Sequence, residues 1–428
     1  MIKIYRASEL AREEILKRNN LPDLKKAEAA ASEIIADVRS RGDDALRFYN
    51  RKFDGCETAE LRVSEEEVEA AYREVGEYFL QTLAEAAANI REFHERQRRG
   101  GFSYTRPDGT RLGQRIMPLA RVGVYVPGGT AAYPSTVLMD VIPAVVAGVG
   151  EIAMVTPPGK DGKIKAEILA AAKIAGVGEI YRVGGAQAIA ALAYGTGSIR
   201  RVDKIVGPGN AFVAAAKKAV SGEVGIDMFA GPSEILIIAD GTANPDHLAA
   251  DMLSQAEHDK MASAVLVTTS ATVAERTAEL IEKRLADLPR QETARASIEN
   301  NGKIIVASSL VEAAEISDEL APEHLEIVTL DPESVLDIVK NAGSVFLGDY
   351  SPEPVGDYFA GPNHTLPTSG TARFSSPLGV DDFVKRSSYI KYSREALERN
   401  GARIADFAER EGLSAHARSV IARTEAKK

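Results

Sequence analysis

Val122-Gly-Val-Tyr-Val126 runs into Pro127-Gly128-Gly129, and the same punctuation returns three times further along the chain. Ile152-Ala-Met-Val155 precedes Pro157-Pro158-Gly159, Ile180-Tyr-Arg-Val183 precedes Gly184-Gly185, and Lys204-Ile-Val206 precedes Gly207-Pro208-Gly209-Asn210. Each short β-branched run stops at glycine or proline and is followed by an alanine-rich stretch of helical character. Strand, turn and helix in repeated alternation predict a parallel α/β sheet. An internal repeat supports this: Ala147-Gly-Val-Gly-Glu-Ile152 recurs as Ala175-Gly-Val-Gly-Glu-Ile180, one unit later. In both copies the glycines are expected to end a helix in the left-handed conformation and the isoleucine to open a strand. Residues 125–234 therefore read as one compact α/β domain whose glycine-lined loops lie on the carboxyl edge of its sheet, where ligands of such sheets usually bind.

A second series follows, with Ile235-Leu-Ile-Ile238, Ala264-Val-Leu-Val267, Lys303-Ile-Ile-Val306, Glu326-Ile-Val328 and Ser344-Val-Phe-Leu347 as strands. The part before residue 121 reads as helices. Ser64 and Glu67 form a capping-box signature, and Val68, Tyr72, Val75, Phe79, Leu83, Ala86, Ile90 and Phe93 recur at spacings of three and four, with Gly76 as a potential break. These helices are grouped with the second series, so that one domain interrupts the other. Asp349 to Val380 is rich in glycine, proline and serine with little periodicity, a kind of segment more often functional than not. The tail from Ser393 is helical, charged and too poor in apolar residues to make its own core, so it is expected to pack elsewhere or on a partner subunit.

Composition narrows the chemistry. The chain has 428 residues, 45% hydrophobic and 27% charged, enough for two to three domains. Lysine plus arginine is 52 against 62 acidic residues, a net charge of −10, and no basic block dominates, which disfavours nucleic acid as a partner. The apolar stretch Val141 to Gly150 is bounded by Asp140 and Glu151, too short for a membrane span, and Met1 to Arg6 has no apolar leader, so a cytoplasmic protein is expected. A single cysteine, Cys56, excludes an internal disulfide framework, a thiolate zinc site and an iron–sulfur cluster. With Asp54 and Glu57 close by it is also a poor nucleophile. Any metal must use nitrogen and oxygen ligands.

Six histidines remain as candidates. Asn244-Pro245 marks a helix start, and Gln255 and His258, three apart, are expected on one face near that helix's C-terminal end; the spacing alone fits a polar helix end equally well. Glu323-His324 follows Pro322 at the entrance of a strand, where an acid and an imidazole can divide proton transfers, or form a solvated turn. The segment Val355-Gly-Asp-Tyr-Phe-Ala-Gly-Pro-Asn-His364 joins Asp357, Gly361, Asn363 and His364 in one loop, and is read as functional. Glu411 and His416 read as a solvated helix face. No Gly-x-Gly-x-x-Gly or Walker loop is present; Gly207-Pro-Gly-Asn-Ala-Phe212 stops after two glycines, and Asn210 is a candidate helix cap.

Taken together, Gly207-Pro-Gly-Asn-Ala-Phe-Val213, Asp227 with Ala230-Gly-Pro-Ser-Glu234, Leu253-Ser-Gln-Ala-Glu-His258, Ala321-Pro-Glu-His-Leu325 and Gly361-Pro-Asn-His-Thr-Leu-Pro-Thr368 resemble the histidinol dehydrogenase family over essentially the whole chain. The resemblance implies an enzyme, an NAD-dependent oxidoreductase of histidine biosynthesis that converts L-histidinol to L-histidine through L-histidinal with two NAD in turn. It implies one zinc ion per subunit held by Gln255, His258, Asp357 and His416. The substrate would contact Ser233, Gln255, His258, His324, Asp357, His364, Glu411 and His416, and the cofactor Tyr125, Gln187 and Asn210. His324 would be the general base on the hydroxyl and Glu323 would activate the hydrating water. Oxidising the aldehyde through a thiohemiacetal would need a cysteine nucleophile, and the single cysteine lies far from every motif, which favours this hydrate route.

The resemblance also implies a homodimer with shared sites, so that the tail serves the partner. The expected architecture is two incomplete Rossmann-like parallel-sheet domains, one inserted in the other. Residues 21–124 and 235–377 form the catalytic and metal domain, 125–234 the inserted NAD domain, 1–20 and 378–403 a small helical dimerisation domain, and 404–428 the exchanged tail. Rival readings are a paralogous zinc-dependent dehydrogenase of another small alcohol, a zinc hydrolase with Glu323 on a metal-bound water, and a non-catalytic metal-binding protein.

Overall fold

The structure, a computed structural model, describes residues 2–9, 11–16, 24–57, 59–128, 132–229 and 231–424. Gly129, Ala230 and the 17–23 segment, where the expected boundary between residues 20 and 21 falls, lie outside them. The chain divides into two units, Met1–Gln97 with Leu119–Phe383, and Arg98–Pro118 with Val384–Lys428.

The first unit holds two all-parallel sheets. One has five strands in the order Glu179–Arg182, Glu151–Thr156, Arg121–Tyr125, Lys204–Val206, Gly225–Ile226. The other has six, in the order Lys3–Arg6, Lys303–Val306, Ser263–Thr268, Glu234–Ala239, His324–Val328, Ser344–Leu347. Both are covered on both faces, which explains why their strands read as unbroken apolar runs. In the six-stranded sheet Ile235, Ile237, Leu266 and Ile304 enter one core, while Leu236, Ile238, Val267, Ile305, Leu325 and Ile327 enter the other.

The local expectations about strands are met closely: Lys204–Val206, Lys303–Val306 and Ser344–Leu347 have the bounds read from the sequence. The repeat behaves as anticipated. Gly148 and Gly176 each cap a helix with φ 89°, a conformation that favours glycine, and the strands beginning at Glu151 and Glu179 follow. Ser64 and Glu67 form a complete capping box on the helix Glu65–Glu74, and Gly76 separates it from Glu77–Glu95.

The organisation departs from expectation at the ends. Lys3–Arg6 is not part of a helical domain; it is an edge strand of the six-stranded sheet, paired with Lys303–Val306. Nor is the segment after residue 378 wholly helical: Val384–Lys391 pairs antiparallel along its full length with Arg111–Pro118, which in turn pairs with Phe102–Thr105. Residues 98–118 thus leave the expected main domain for the second unit. These strands are mostly exposed and mix polar or charged residues with apolar ones, so they carry no clear apolar alternation by which to be recognised. In the same unit the helices Arg394–Arg410 and Ser414–Thr424 pack together over small residues, a Cβ on Gly401 coming 2.9 Å from Thr424 and 3.4 Å from Val420. The irregular 349–380 segment contains a short helix, Glu353–Tyr358, that its glycine and proline content concealed.

Ser64→Ala removes the oxygen that accepts the Glu67 N–H while leaving every core contact in place. It should lower stability by about 1 kcal/mol in a urea titration, whereas an unshifted midpoint would show that the cap adds nothing.

Candidate active site

His324 opens the strand His324–Val328, opposite Ile235 on one neighbour and Ser344 on the other. Side chains alternate along a strand. Leu325 and Ile327 enter a core, so His324 and Glu326 face the opposite side, where polar side chains of two helices meet them. One is Pro245–Ala256, capped by Asn244, which carries Asp251 and Gln255; the other is Glu353–Tyr358, which presents Glu353 and Asp357 one turn apart. The centre thus stands at the amino edge of this sheet, opposite to the edge where open parallel sheets usually bind.

The backbone decides the tautomer of His324. Its Nδ1 lies 3.0 Å from the Glu234 carbonyl, which can only accept, so Nδ1 carries the proton and Nε2 keeps a lone pair. Nε2 has no hydrogen-bond partner and stands 3.7 Å from Glu353 Oε1 and 4.0 Å from Asp357 Oδ1. His364 repeats the device, with Nδ1 donating to the Asp357 carbonyl at 3.1 Å. Burial holds the pKa of both imidazoles below the usual value, against the pull of Asp357, so both are neutral bases. Glu323 is buried beside His324; its Oε2 accepts the Glu234 N–H at 2.8 Å, and burial raises its pKa well above the usual carboxyl range. Burial pushes Glu353 up to about 10 and, with Asp251 facing it, raises Glu326 well above the ordinary range. Several of the acids around His324 therefore hold protons at neutral pH.

His324, Glu353 and Asp357 bring one ligand atom each within 4.8 Å of one another, a cluster able to hold a cation. Gln255 is 1% exposed, yet neither atom of its amide has a partner, an expensive state unless something else binds there. His258 corrects one expectation. The helix ends at Ala256 with Glu257 as its cap, so His258 follows the helix instead of sharing its face with Gln255, and it is exposed. Its charge still bears on both His324 and His364. Ser233 is half-buried, directly before the strand Glu234–Ala239. Glu411 and His416 are exposed residues of the second unit, at the end of one tail helix and within the next. A cavity of about 190 Å³ is bordered by His324, Phe346, Asp357 and His364.

A larger cavity of about 1300 Å³ opens at the carboxyl edge of the five-stranded sheet, and Tyr125, Gln187 and Asn210 all line it, with Asp54, Pro157 and Lys160. The Tyr125 hydroxyl accepts the Gly185 N–H at 3.1 Å and is pushed up to about 12 by burial. Gln187 is 1% exposed with Oε1 unpartnered. Asn210 is indeed a helix cap, its Oδ1 accepting from the N–H groups of Phe212 and Val213. Sequence reasoning missed Glu353, Glu326 and Asp251. The Glu353-x-x-x-Asp357 spacing was a usable signal, but only for a reader who already placed a helix there.

The histidinol dehydrogenase family profile matches residues 17–424. The chain belongs to the histidinol dehydrogenase family. The histidinol dehydrogenase of Bacillus licheniformis is 57% identical over 408 residues, 95% of this chain and 96% of that protein. That of Bacillus subtilis is 58% identical over 390 residues, 91% of each. The crystal structure of histidinol dehydrogenase from Elizabethkingia anophelis superposes with a TM-score of 0.93 at 38% identity, covering 99% of this chain and 98% of that one. As a member of the histidinol dehydrogenase family the protein is an NAD-dependent oxidoreductase acting on a CH–OH group. Among the described residues no helix is long and apolar enough to cross a membrane.

The acids beneath the site have a measurable signature. Burial raises Asp251 from 3.8 to about 6, so the folded state keeps a proton that the unfolded chain releases earlier. The stability this brings is complete in acid and is lost as pH rises from about 4 through about 6. Asp251→Asn stays neutral, and should gain on the order of 1–2 kcal/mol over the parent at pH 7 but little at pH 4 in urea titrations. A pH-independent difference would contradict the raised pKa.

Proposed function

We propose that the protein oxidises L-histidinol to L-histidine through L-histidinal, using two NAD in turn, with one zinc ion per subunit held by Gln255, His258, Asp357 and His416 of the partner subunit. The observation that carries this reading is the neutral His324 with its unpartnered Nε2, 3.7 Å from Glu353 and 4.0 Å from Asp357, with which it forms a cluster able to hold a cation. The donor set suits zinc: nitrogen and oxygen ligands with a single carboxylate leave a net positive site. When bound, zinc would hold the imidazole and amine of the amino alcohol in place and NAD would accept hydride.

The residues of the chain divide the remaining work. His324 Nε2 takes the hydroxyl proton as the carbinol C–H electrons leave as hydride, giving the aldehyde. Glu323, once ionised, takes a proton from water as the water oxygen bonds to the aldehyde carbon; the resulting diol loses the second hydride to become the carboxylate. Histidinol, two NAD and one water thus become histidine, two NADH and three protons. The proton affinity that burial confers on Glu323 suits it to this base role. Ser233, His364 and Glu411 complete the substrate contacts. Tyr125, Gln187 and Asn210 would receive the nucleotide in the larger cavity, whose position at a carboxyl edge supports the assignment. A covalent sulfur route has no support, since Cys56 is buried and its thiol is pushed up by burial and by Asp54.

A homodimer with exchanged tails belongs to the same reading. Phe407 is 68% exposed and Ile404 and Leu413 are exposed beside it in the sequence, apolar surface suited to a partner subunit. So does a cytoplasmic location, in keeping with a single buried cysteine.

Absorbance at the NADH band with zinc-loaded protein, L-histidinol and NAD should show two NADH per histidinol; no NADH would refute the reading. Glu323→Gln should stop after the first, releasing aldehyde. His416→Asn should lose bound zinc by elemental analysis. Mixing it with His324→Asn should restore part of the activity through hybrid dimers, and mixtures that stay inactive would rule out shared sites.

A further inference from the structure

Buried hydrogen bonds join the segment that carries His364 to the cofactor side of the molecule. Asn363 Nδ2 donates to the Met139 carbonyl at 2.6 Å, and Thr365 Oγ1 donates to Asp140 Oδ1 at 2.7 Å. The residues on either side of His364 therefore grip adjacent positions of the helix Pro134–Ala147. The Thr365 N–H closes the turn on Asn363 Oδ1 at 2.8 Å.

Asp140 is fully buried, and its other oxygen points elsewhere. Oδ2 lies against Gly207, whose φ is +112°; a Cβ there would come 3.0 Å from Oδ2 and 2.1 Å from the Tyr125 carbonyl, so the contact requires glycine. Gly207 opens the loop that ends in Asn210. That loop is held firmly: its Gly207 N–H goes to Asp227 Oδ2 at 2.7 Å and its Gly207 carbonyl accepts from Lys217 Nζ at 3.0 Å. Asp140 thus bonds the His364 segment with one oxygen, while the other, buried and without a hydrogen-bond partner, faces the space over Gly207 where a Cβ would stand.

The charged groups that face Asp140, Asp227 and Lys217, are paired with one another in a buried ion pair. Left without a cation of its own, Asp140 is pushed up to about 8 by burial and is neutral at neutral pH. For packing alone, a leucine would fill this place without the desolvation that a carboxyl suffers. What the carboxyl adds is direction.

We propose that Asp140 is a positioning residue for the oxidation: bonded to Thr365 and packed where only a glycine fits at position 207, it sets the distance between His364 and the nucleotide loop, and so the alignment for hydride transfer. This rests on the function proposed above. Displacements of about 1 Å in such an arrangement can lower rates by about a hundredfold.

The test uses full-length, zinc-loaded protein and initial rates of NADH formation from L-histidinol and NAD. Asp140→Leu and Thr365→Val should each lower kcat about tenfold or more, with the KM for histidinol changed less than about threefold. The double variant Asp140→Leu with Thr365→Val should be no worse than Asp140→Leu alone, because Asp140→Leu already removes the hydrogen bond that Thr365→Val deletes. Asp140→Asn, whose amide oxygen still accepts from Thr365 Oγ1, should recover activity to within about threefold of the parent. The proposal is overturned if Asp140→Leu turns over like the parent, if Asp140→Asn is as slow as Asp140→Leu, or if the two single losses add. Should Asp140→Leu fail to fold by circular dichroism, Thr365→Val against Thr365→Ser decides, the serine restoring the hydroxyl and with it the rate. A parent protein that makes no NADH from histidinol would instead refute the proposed reaction itself.

Discussion

Parallel strands covered on both faces leave only their ends for chemistry, and in the six-stranded sheet the bond from His324 Nδ1 to the Glu234 carbonyl turns that constraint into a base. The register of two adjacent strands brings that carbonyl to the imidazole. The carbonyl selects the tautomer, the tautomer leaves Nε2 bare, and burial keeps the ring neutral. Replacing a backbone acceptor is not open to mutation in the way a side chain is, so the proton position rests on the fold itself. Glu234 also supplies its N–H to Glu323, so a single residue at the start of a central strand orients both candidate proton carriers.

Around that pair the protein accumulates carboxyls in numbers that would be ruinous if all were ionised. Burial resolves the problem by making them hold protons, as with Glu323, Glu326 and Glu353. Neutral acids can donate hydrogen bonds and need no counter-ions, and of the carboxyls Glu353 and Asp357 each bring one oxygen toward His324 in a cluster able to hold a cation. The partnerless amide of Gln255 at the C-terminal turn of its helix fits the same logic, since an unsatisfied buried group persists where a ligand will satisfy it.

The two sheets of the first unit present opposite edges. The cavity lined by Tyr125, Gln187 and Asn210 sits at carboxyl ends, as sheet topology suggests, whereas the His324 centre sits at amino ends, where no general rule would have placed it. Motif residues marked the candidate second centre in the sequence, through Glu323-His324 and Asp357 with His364, but not its buried walls. Glu326 reads in the sequence as one polar residue in a strand, and Glu353 as one acid in a glycine- and proline-rich stretch. Only packing shows that they face His324.

Strand runs, helix caps and glycine-ended helices were determined by the sequence alone, because they arise from interactions within a few residues: the repeat around Gly148 and Gly176 and the box of Ser64 with Glu67 are cases in point. The tertiary structure decided what depends on distant partners. It drew Lys3–Arg6 into a sheet with Lys303–Val306 and joined Val384–Lys391 to Arg111–Pro118, pairings held by backbone bonds that no side-chain pattern announces. It also set the protonation states of Glu323, Glu353 and Asp140, since a carboxyl's affinity for its proton follows from how much water and charge surround it, and residues far apart in the chain supply both.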